Sequence, residues 1–309
     1  MPVREIANAF VRDYKLRGGT RSLDERSQRA YKGDLIAFFN SFQGLSPFDL
    51  REESLRNYIK TNQNVLSSAT LRRRALVITR FLNSILKSKI NYIQILRSSG
   101  VPDFQRGKRS LPLTAQEFEE TCRYISNSSE GKTHSYFHKR DIFGLNLMYF
   151  TGITIPELSN INKRDIVVNP EGLEICVNSP SLDVSRVLTI KVPTDSSLRN
   201  YHSDRESFIV HLKEDRDIDA DNTEKSPLLL NKNGGRIDPR SIRRRVEVCF
   251  KELGINKSPL SFRSAYILKL IEGETNPEEM ASLLGITRSN IMTIIRHFKK
   301  NHEGEEPSS

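Results

Sequence analysis

The residues with chemistry to offer in this chain are its arginines. Arg72, Arg73 and Arg74 stand together early in a stretch with helical apolar spacing. Arg240, Arg243, Arg244 and Arg245 follow Asp238-Pro239, a pair that caps and starts a helix. Arg263 stands three residues before Tyr266, the last tyrosine of the sequence. Guanidinium groups crowded at a helix start are a layout for holding phosphates. The competing reading is a solvated basic face. A fourth place is arranged for reading rather than holding. Met280, Ala281, Leu284, Ile286, Ile291 and Ile294 take the apolar and small positions of a helix-turn-helix, with Gly285 as the turn. Its second helix, 287–298, would present Thr287, Arg288, Ser289 and Asn290 near its start, where such motifs meet bases. An ordinary tightly packed helix pair gives the same pattern.

Other chemistries lack their parts. There is no Walker-type glycine loop and no His-Glu-x-x-His, and the six histidines are scattered, so neither metal nor cofactor is expected. Cys122, Cys176 and Cys249 are far apart and odd in number, which points to a reducing cytoplasm. No apolar run approaches the roughly 18 residues of a membrane span. The start, MPVREIANAF, lacks the layout of a signal peptide.

The net charge is +10, and its distribution says more than its size. Residues 1–107 hold 19 Lys and Arg against 9 Asp and Glu, which is the whole excess. The remaining 29 basic and 29 acidic residues cancel. Nucleic acid is the partner such a segment suggests, because cations bound to its backbone release counterions.

Apolar periodicity supplies the elements that must position these residues. Helices are expected over 3–17, 27–42, 50–59 and 66–86, with Ser67 or Ser68 capping the last, and a break at 17–22. Four helices without a strand make a small all-α domain, 1–97. Residues 98–112 read as a linker. A second domain, 113–300, opens with Thr114 and Glu117 spaced as a capping box. After the polar loop 126–135 and an apolar stretch, Thr154 and Glu157 repeat that spacing. Strand signals follow at 165–169, 173–178 and 186–192. Helix signals resume over 203–216, and 215–227 reads as an exposed acidic loop. The tail 301–309 is polar.

Five phrases in this order resemble the tyrosine recombinases, the phage-integrase family. SQRAYKGDLIAFFNSF (27–42) and LSSATLRRRALVITRFLNSIL (66–86) are similar to two helices of the family's core-binding domain. RDIFGLNLMYFTGITIPELSNINKRD (140–165) is similar to the phrase that carries its first catalytic arginine, a position held here by Thr154. LLLNKNGGRIDPRSIRRRVEVCFKELGI (228–255) and SPLSFRSAYILKLIEGETNPEEMASLLGITRSNIMTIIRHF (258–298) complete the series. The resemblance implies a mainly α fold with a small β-sheet. An all-α, SAM-like core-binding domain would be followed by a catalytic-like α+β domain, the two closing as a clamp on duplex DNA.

The resemblance also implies a six-part catalytic set, and most of it is replaced. The family positions fall on Thr154, on the loop 179–185 without a lysine, on Leu260, Arg263, Ile286 and Ile295. Lys191 lies beyond that loop, inside the third strand, and is not accepted as a substitute. A phenol must attack the phosphodiester and cations must stabilise its charge. Residues 267–309 contain no tyrosine, so no shift of alignment restores the nucleophile, and Tyr266 has no acid or base beside it. The expectation is therefore a protein that is not an enzyme. It would bind double-stranded DNA operator sites through Arg72–Arg74, Arg240, Arg243–Arg245, Arg263, Arg288, Ser289 and Asn290, as a transcriptional repressor of temperate-phage type. The alternatives are an active recombinase with an unorthodox site and an architectural partner of one. Association of copies on DNA, and a small protein or peptide modulator, stay open.

Overall fold

The structure is a computed structural model. It describes residues 2–14, 25–86, 89–101, 110–127, 135–179, 184–191 and 197–302. The chain separates into two compact units, Met1–Lys108 and Arg109–Ser309. The architecture is mainly helical with one small sheet, as the sequence implies.

The first unit contains α1 (Val3–Asp13), α2 (Glu25–Asn40), α3 (Glu52–Asn62), α4 (Ser68–Leu86) and α5 (Tyr92–Ser98). Ser67 is the residue that starts α4, its hydroxyl accepting from the Thr70 N–H at 3.3 Å. The apolar faces close on an aromatic centre. Phe38 meets Tyr58 edge-on at 5.4 Å, and Phe39 meets Phe81 at 5.1 Å. α1 stops at Asp13, short of the expected 17, and the expected break at 17–22 lies outside the described residues. α5 is an addition to the four expected helices. Asn91 caps it by accepting from the Ile93 and Gln94 N–H groups, and Ile95 and Leu96 anchor it in the core. Val101, in the segment read as linker, is buried in the same core, and 102–109 lie outside the described residues.

The second unit opens with α6 (Ala115–Asn127), started by the Thr114–Glu117 box with bonds of 2.8 and 3.1 Å. α7 (Tyr136–Thr151) and α8 (Ile155–Asn160) follow, then a 3-10 turn (Lys163–Asp165). The strands β1 (Ile166–Asn169), β2 (Gly172–Ser179) and β3 (Val184–Lys191) form an antiparallel meander in that order, with Ile175 opposite both Ile166 and Leu188. After it come α9 (Ser197–Arg216), α10 (Pro239–Glu252), α11 (Ser261–Glu272), α12 (Pro277–Leu284) and α13 (Arg288–His302). α9 begins earlier than 203. The segment expected as an exposed loop is tied down within its length. The buried Arg205 of α9 donates to Asn222, Ser226 and the Pro227 carbonyl at 2.6–3.1 Å.

Two apolar clusters serve this unit. The larger spans α6 to α11 and the sheet. The smaller gathers Ile267, Met280, Leu284, Ile291, Ile294 and Phe298 around the α12–α13 corner. Among the described residues no helix is long and apolar enough to cross a membrane. The tail from 303 lies outside the described residues.

Candidate active site and nucleic-acid interface

The chemistry of the second unit collects where α7 hands over to α8. Gly152 ends α7 in the left-handed conformation, and Thr154 starts α8. The Thr154 N–H and hydroxyl both donate to Glu157 Oε2 at 2.8 Å, and the Thr154 oxygen accepts from the Glu157 N–H at 3.4 Å. This is the capping box expected from the spacing. It turns the Glu157 carboxylate inward, where Oε1 accepts from Arg186 Nη1 at 2.8 Å.

Arg186 reaches that point because of strand alternation. On β3 it shares the buried face with Leu188 and Ile190, while Ser185, Val187 and Thr189 face out. Its Nε donates to the Leu283 carbonyl at 2.9 Å. Arg263, from the first turn of α11, completes the junction. It donates through Nη1 to Gly152 O at 2.7 Å and through Nη2 to Leu284 O at 2.6 Å, and Nη1 lies 3.9 Å from Glu157 Oε2. The two guanidinium groups thus sit on the C-terminal carbonyls of α12, the negative end of its dipole. Gly285 makes this approach feasible. It ends α12 with φ of +59°, and a Cβ there would stand 2.6 Å from Arg186 Nη1.

The electrostatics follow from this geometry. Burial alone would raise the Glu157 pKa, but hydrogen bonds from Arg186 and Thr154 and the Arg186 charge hold it below the ordinary value of 4.5. Arg263 is lowered, by burial first and by Arg186 in addition, against the pull of Glu157. Tyr266, one turn along α11, packs its ring where Gly152 has no side chain. Burial raises its pKa, opposed by the Arg186 charge.

The remaining family positions fall around this junction. Leu260 precedes α11 and is exposed, while Ile286 and Ile295 are half-buried in the smaller apolar cluster. Thr154 is engaged as the cap described above. Lys191, set aside from the sequence, ends β3 on its exposed side.

The residues expected at DNA are not equally available. Arg73 and Arg74 both pair with the buried Asp34 of α2, Arg74 Nε at 3.4 Å, and Arg74 Nη1 also donates to the Tyr58 hydroxyl at 2.6 Å. They are ties between helices, with Arg73 keeping part of its surface exposed. Burial raises the Asp34 pKa, and the two arginines oppose it. Arg72 is half-buried and donates to Val101 O at 3.4 Å. On α10 all four arginines are exposed. Arg245 is paired with Asp141 at 2.9 Å and Arg243 lies 3.9 Å from Glu247, whereas Arg240 and Arg244 make no side-chain bond to a described residue. Arg288 pairs with Glu278 across the α12–α13 corner, and Ser289 and Asn290 are exposed beside it. The structure therefore brings Thr154 and Arg263 together, and the α10 arginines and Arg288 make their ion pairs outside that junction. Among the described residues no cluster of three or more His, Cys, Asp or Glu could hold a metal.

Arg186 was not singled out in the sequence, although its place in the alternation with Leu188 and Ile190 was a usable signal. A search confined to lysine in the 179–185 loop passed over it, and 180–183 lie outside the described residues.

This fold is that of the tyrosine recombinases. One solved neighbour is the site-specific recombinase XerH bound to palindromic difH substrate in a post-cleavage complex. Its TM-score is 0.65 at 17% identity, over 91% of this chain and 78% of that one. Another is a lambda integrase (75–356) dimer bound to a COC' core site, with TM-score 0.61 at 13% identity, over 96% and 95%. Among sequence relatives, the tyrosine recombinase XerC of Thermodesulfovibrio yellowstonii is 27% identical over 303 residues, 95% of this chain and 91% of that protein. XerD of Rickettsia bellii is 22% identical over 298 residues, 91% of each. No family model matches the chain. The relatives and the fold support the tyrosine recombinase/integrase family.

These relatives correct one expectation. The chain was read as a non-enzyme from its replaced motif positions, but proteins aligned along almost its whole length are named as recombinases, which are enzymes. That reading rested on the replaced nucleophile position and on cations counted by motif position, and the structure bears on the second of these. Arg186 brings a second guanidinium to Arg263 from outside the motifs.

Proposed function

We propose that this chain binds specific duplex-DNA sites in the cytoplasm and works in site-specific recombination at them. The observation that carries this reading is the junction where Thr154, Glu157, Arg186, Arg263 and Tyr266 collect, in a chain aligned along 95% of its length with a named tyrosine recombinase. Two guanidinium groups are a means of stabilising charge on a phosphodiester. Strand transfer from the 258–298 segment has one phenol to draw on, Tyr266. The exposed α10 arginines, the basic 1–97 unit and the start of α13 supply backbone and base contacts in this reading. Solved neighbours include recombinases on DNA, one of them a dimer, which favours association of copies on the site.

A second reading is occupancy of operator sites as a transcriptional repressor. It is favoured by Ile295, whose side chain packs in an apolar cluster at the family's nucleophile position.

One experiment separates the readings. Bound duplexes are selected from a random pool, footprinted, and remade with a nick that traps a covalent adduct. Recombination predicts an adduct that Tyr266→Phe abolishes. A footprint with no adduct supports occupancy. Failure to enrich any site overturns both.

A further inference from the structure

The junction holds an unbalanced charge. Two guanidinium cations, Arg186 and Arg263, face one carboxylate, Glu157, and Arg186 and Glu157 are each 6% exposed. Buried charge without a counter-charge is costly. The α12 C-terminus offsets part of the surplus, since its end carries about half an elementary charge. Arg186 spends Nη1 on Glu157 and Nε on Leu283 O. Its Nη2 is buried and has no hydrogen-bond partner among the described residues. Beside it, Arg186 forms part of the wall of a groove of ≈ 440 Å³ between β3 and α12, with Ser185, Ser282, Gly285 and Ile286.

We propose that Arg186 is an anion-receiving residue, and that this groove takes one phosphate-type oxyanion on it. A buried guanidinium with an unused Nη2 and a net positive setting is suited to a charge-assisted bond to phosphate. Glu157 does not block the anion, because it holds Nη1 and leaves Nη2. Gly285 bears no side chain over Arg186, which keeps the guanidinium at the groove wall. Under the function proposed above, the natural source of the oxyanion is a DNA phosphodiester. The source rests on that reading; the site does not.

The charge count predicts opposite signs for two substitutions. Arg186→Met leaves one cation and one carboxylate, and the reason to bind an anion is gone. Glu157→Gln leaves two cations, while the amide oxygen still serves the Thr154 cap. Thermal midpoints are measured in inorganic phosphate against chloride at equal ionic strength. Phosphate also stabilises proteins generally by exclusion from their surface, so the readout is the difference between variants. The phosphate increment is expected to fall in Arg186→Met and to exceed wild type in Glu157→Gln. Equal increments in all three proteins overturn the proposal. If Arg186→Met does not fold, a Glu157→Gln increment no larger than wild type overturns it alone. Duplex DNA tests the source. Loss of about 0.9 from the salt slope of binding in Arg186→Met, one phosphate's worth, assigns the oxyanion to the DNA backbone. An unchanged slope with the phosphate differences intact assigns it to free phosphate, and the site stands. Failure to bind any DNA site removes the proposed function and leaves the phosphate measurement to decide this site.

Discussion

Glu157 receives bonds from Thr154 and Arg186 while nearly out of water, so its ionised form is favoured by the fold. With a folded-state pKa below the ordinary 4.5, it binds fewer protons folded than unfolded, and stability rises with pH across that window. Its contribution is complete above about pH 4.5 and is lost as pH falls through the lower folded value. Urea midpoints of wild type and Glu157→Gln should therefore converge between about pH 5 and pH 3. A constant gap would remove the carboxylate from the acid response. The capping half of this arrangement was legible, since Thr-x-x-Glu is a local signal that needs no tertiary knowledge. For Arg186 only the face was legible, from its alternation with Leu188 and Ile190. Its partner was not, because Glu157 lies 29 residues away and no local signal pairs the two. Arg73 and Arg74 show the converse. Their run looks like a phosphate-binding face until the buried Asp34, on another helix, is known.

At the scale of elements, the α12–α13 corner depends on its turn. Gly285 combines a left-handed φ with the close approach of Arg186. Gly254, after α10, has φ of +69° but nothing within 4 Å of an added Cβ. Alanine at Gly254 should cost about 1 kcal/mol, the conformational penalty alone, and alanine at Gly285 about 1–2 kcal/mol more. Chemical denaturation of both variants checks the order, and equal losses would mean that Arg186 gives way freely. The turn glycine and the small and apolar positions around it were readable from the sequence. α5 was not, because its 7 residues, about two turns, carry too few periods and border a Ser-Ser-Gly run. The Asn91 cap was its one local signal.

For the molecule as a whole, net charge is a poor guide to which arginines can meet a polyanion. The whole +10 lies in the first 107 residues, yet two arginines of the most basic run there are paired with Asp34. On the charge-neutral remainder, Arg240 and Arg244 stand exposed at the start of α10. In the DNA-binding reading, Arg240→Ala with Arg244→Ala should reduce the salt slope of binding by up to about 1.8, at 0.9 per phosphate, with little loss of stability. Arg74→Ala should instead lower stability by about 1.5–3 kcal/mol, since it removes one of two cations from a buried carboxylate and leaves Arg73 on it. Binding isotherms over a salt series and urea melts separate the two. If Arg74→Ala changed only the slope, the inward tie would be unimportant. The fold class was readable because periodicity and turn chemistry are local and run the length of the chain. The division of labour among arginines was hidden because it depends on pairings between distant segments.

The cap at Thr154 also decides which side chains this corner tolerates. Arginine, the residue that the family's phrase carries at this position, has no side-chain oxygen to receive the Glu157 N–H or to donate a hydroxyl to its carboxylate. Its introduction would forfeit about 1 kcal/mol of helix start and add a third cation beside Arg186 and Arg263. A Thr154→Arg substitution is thus opposed twice, by local structure and by charge. With Arg186 and Arg263 in place, the corner holds two cations already, and the helix start at 154 is what keeps a third one out.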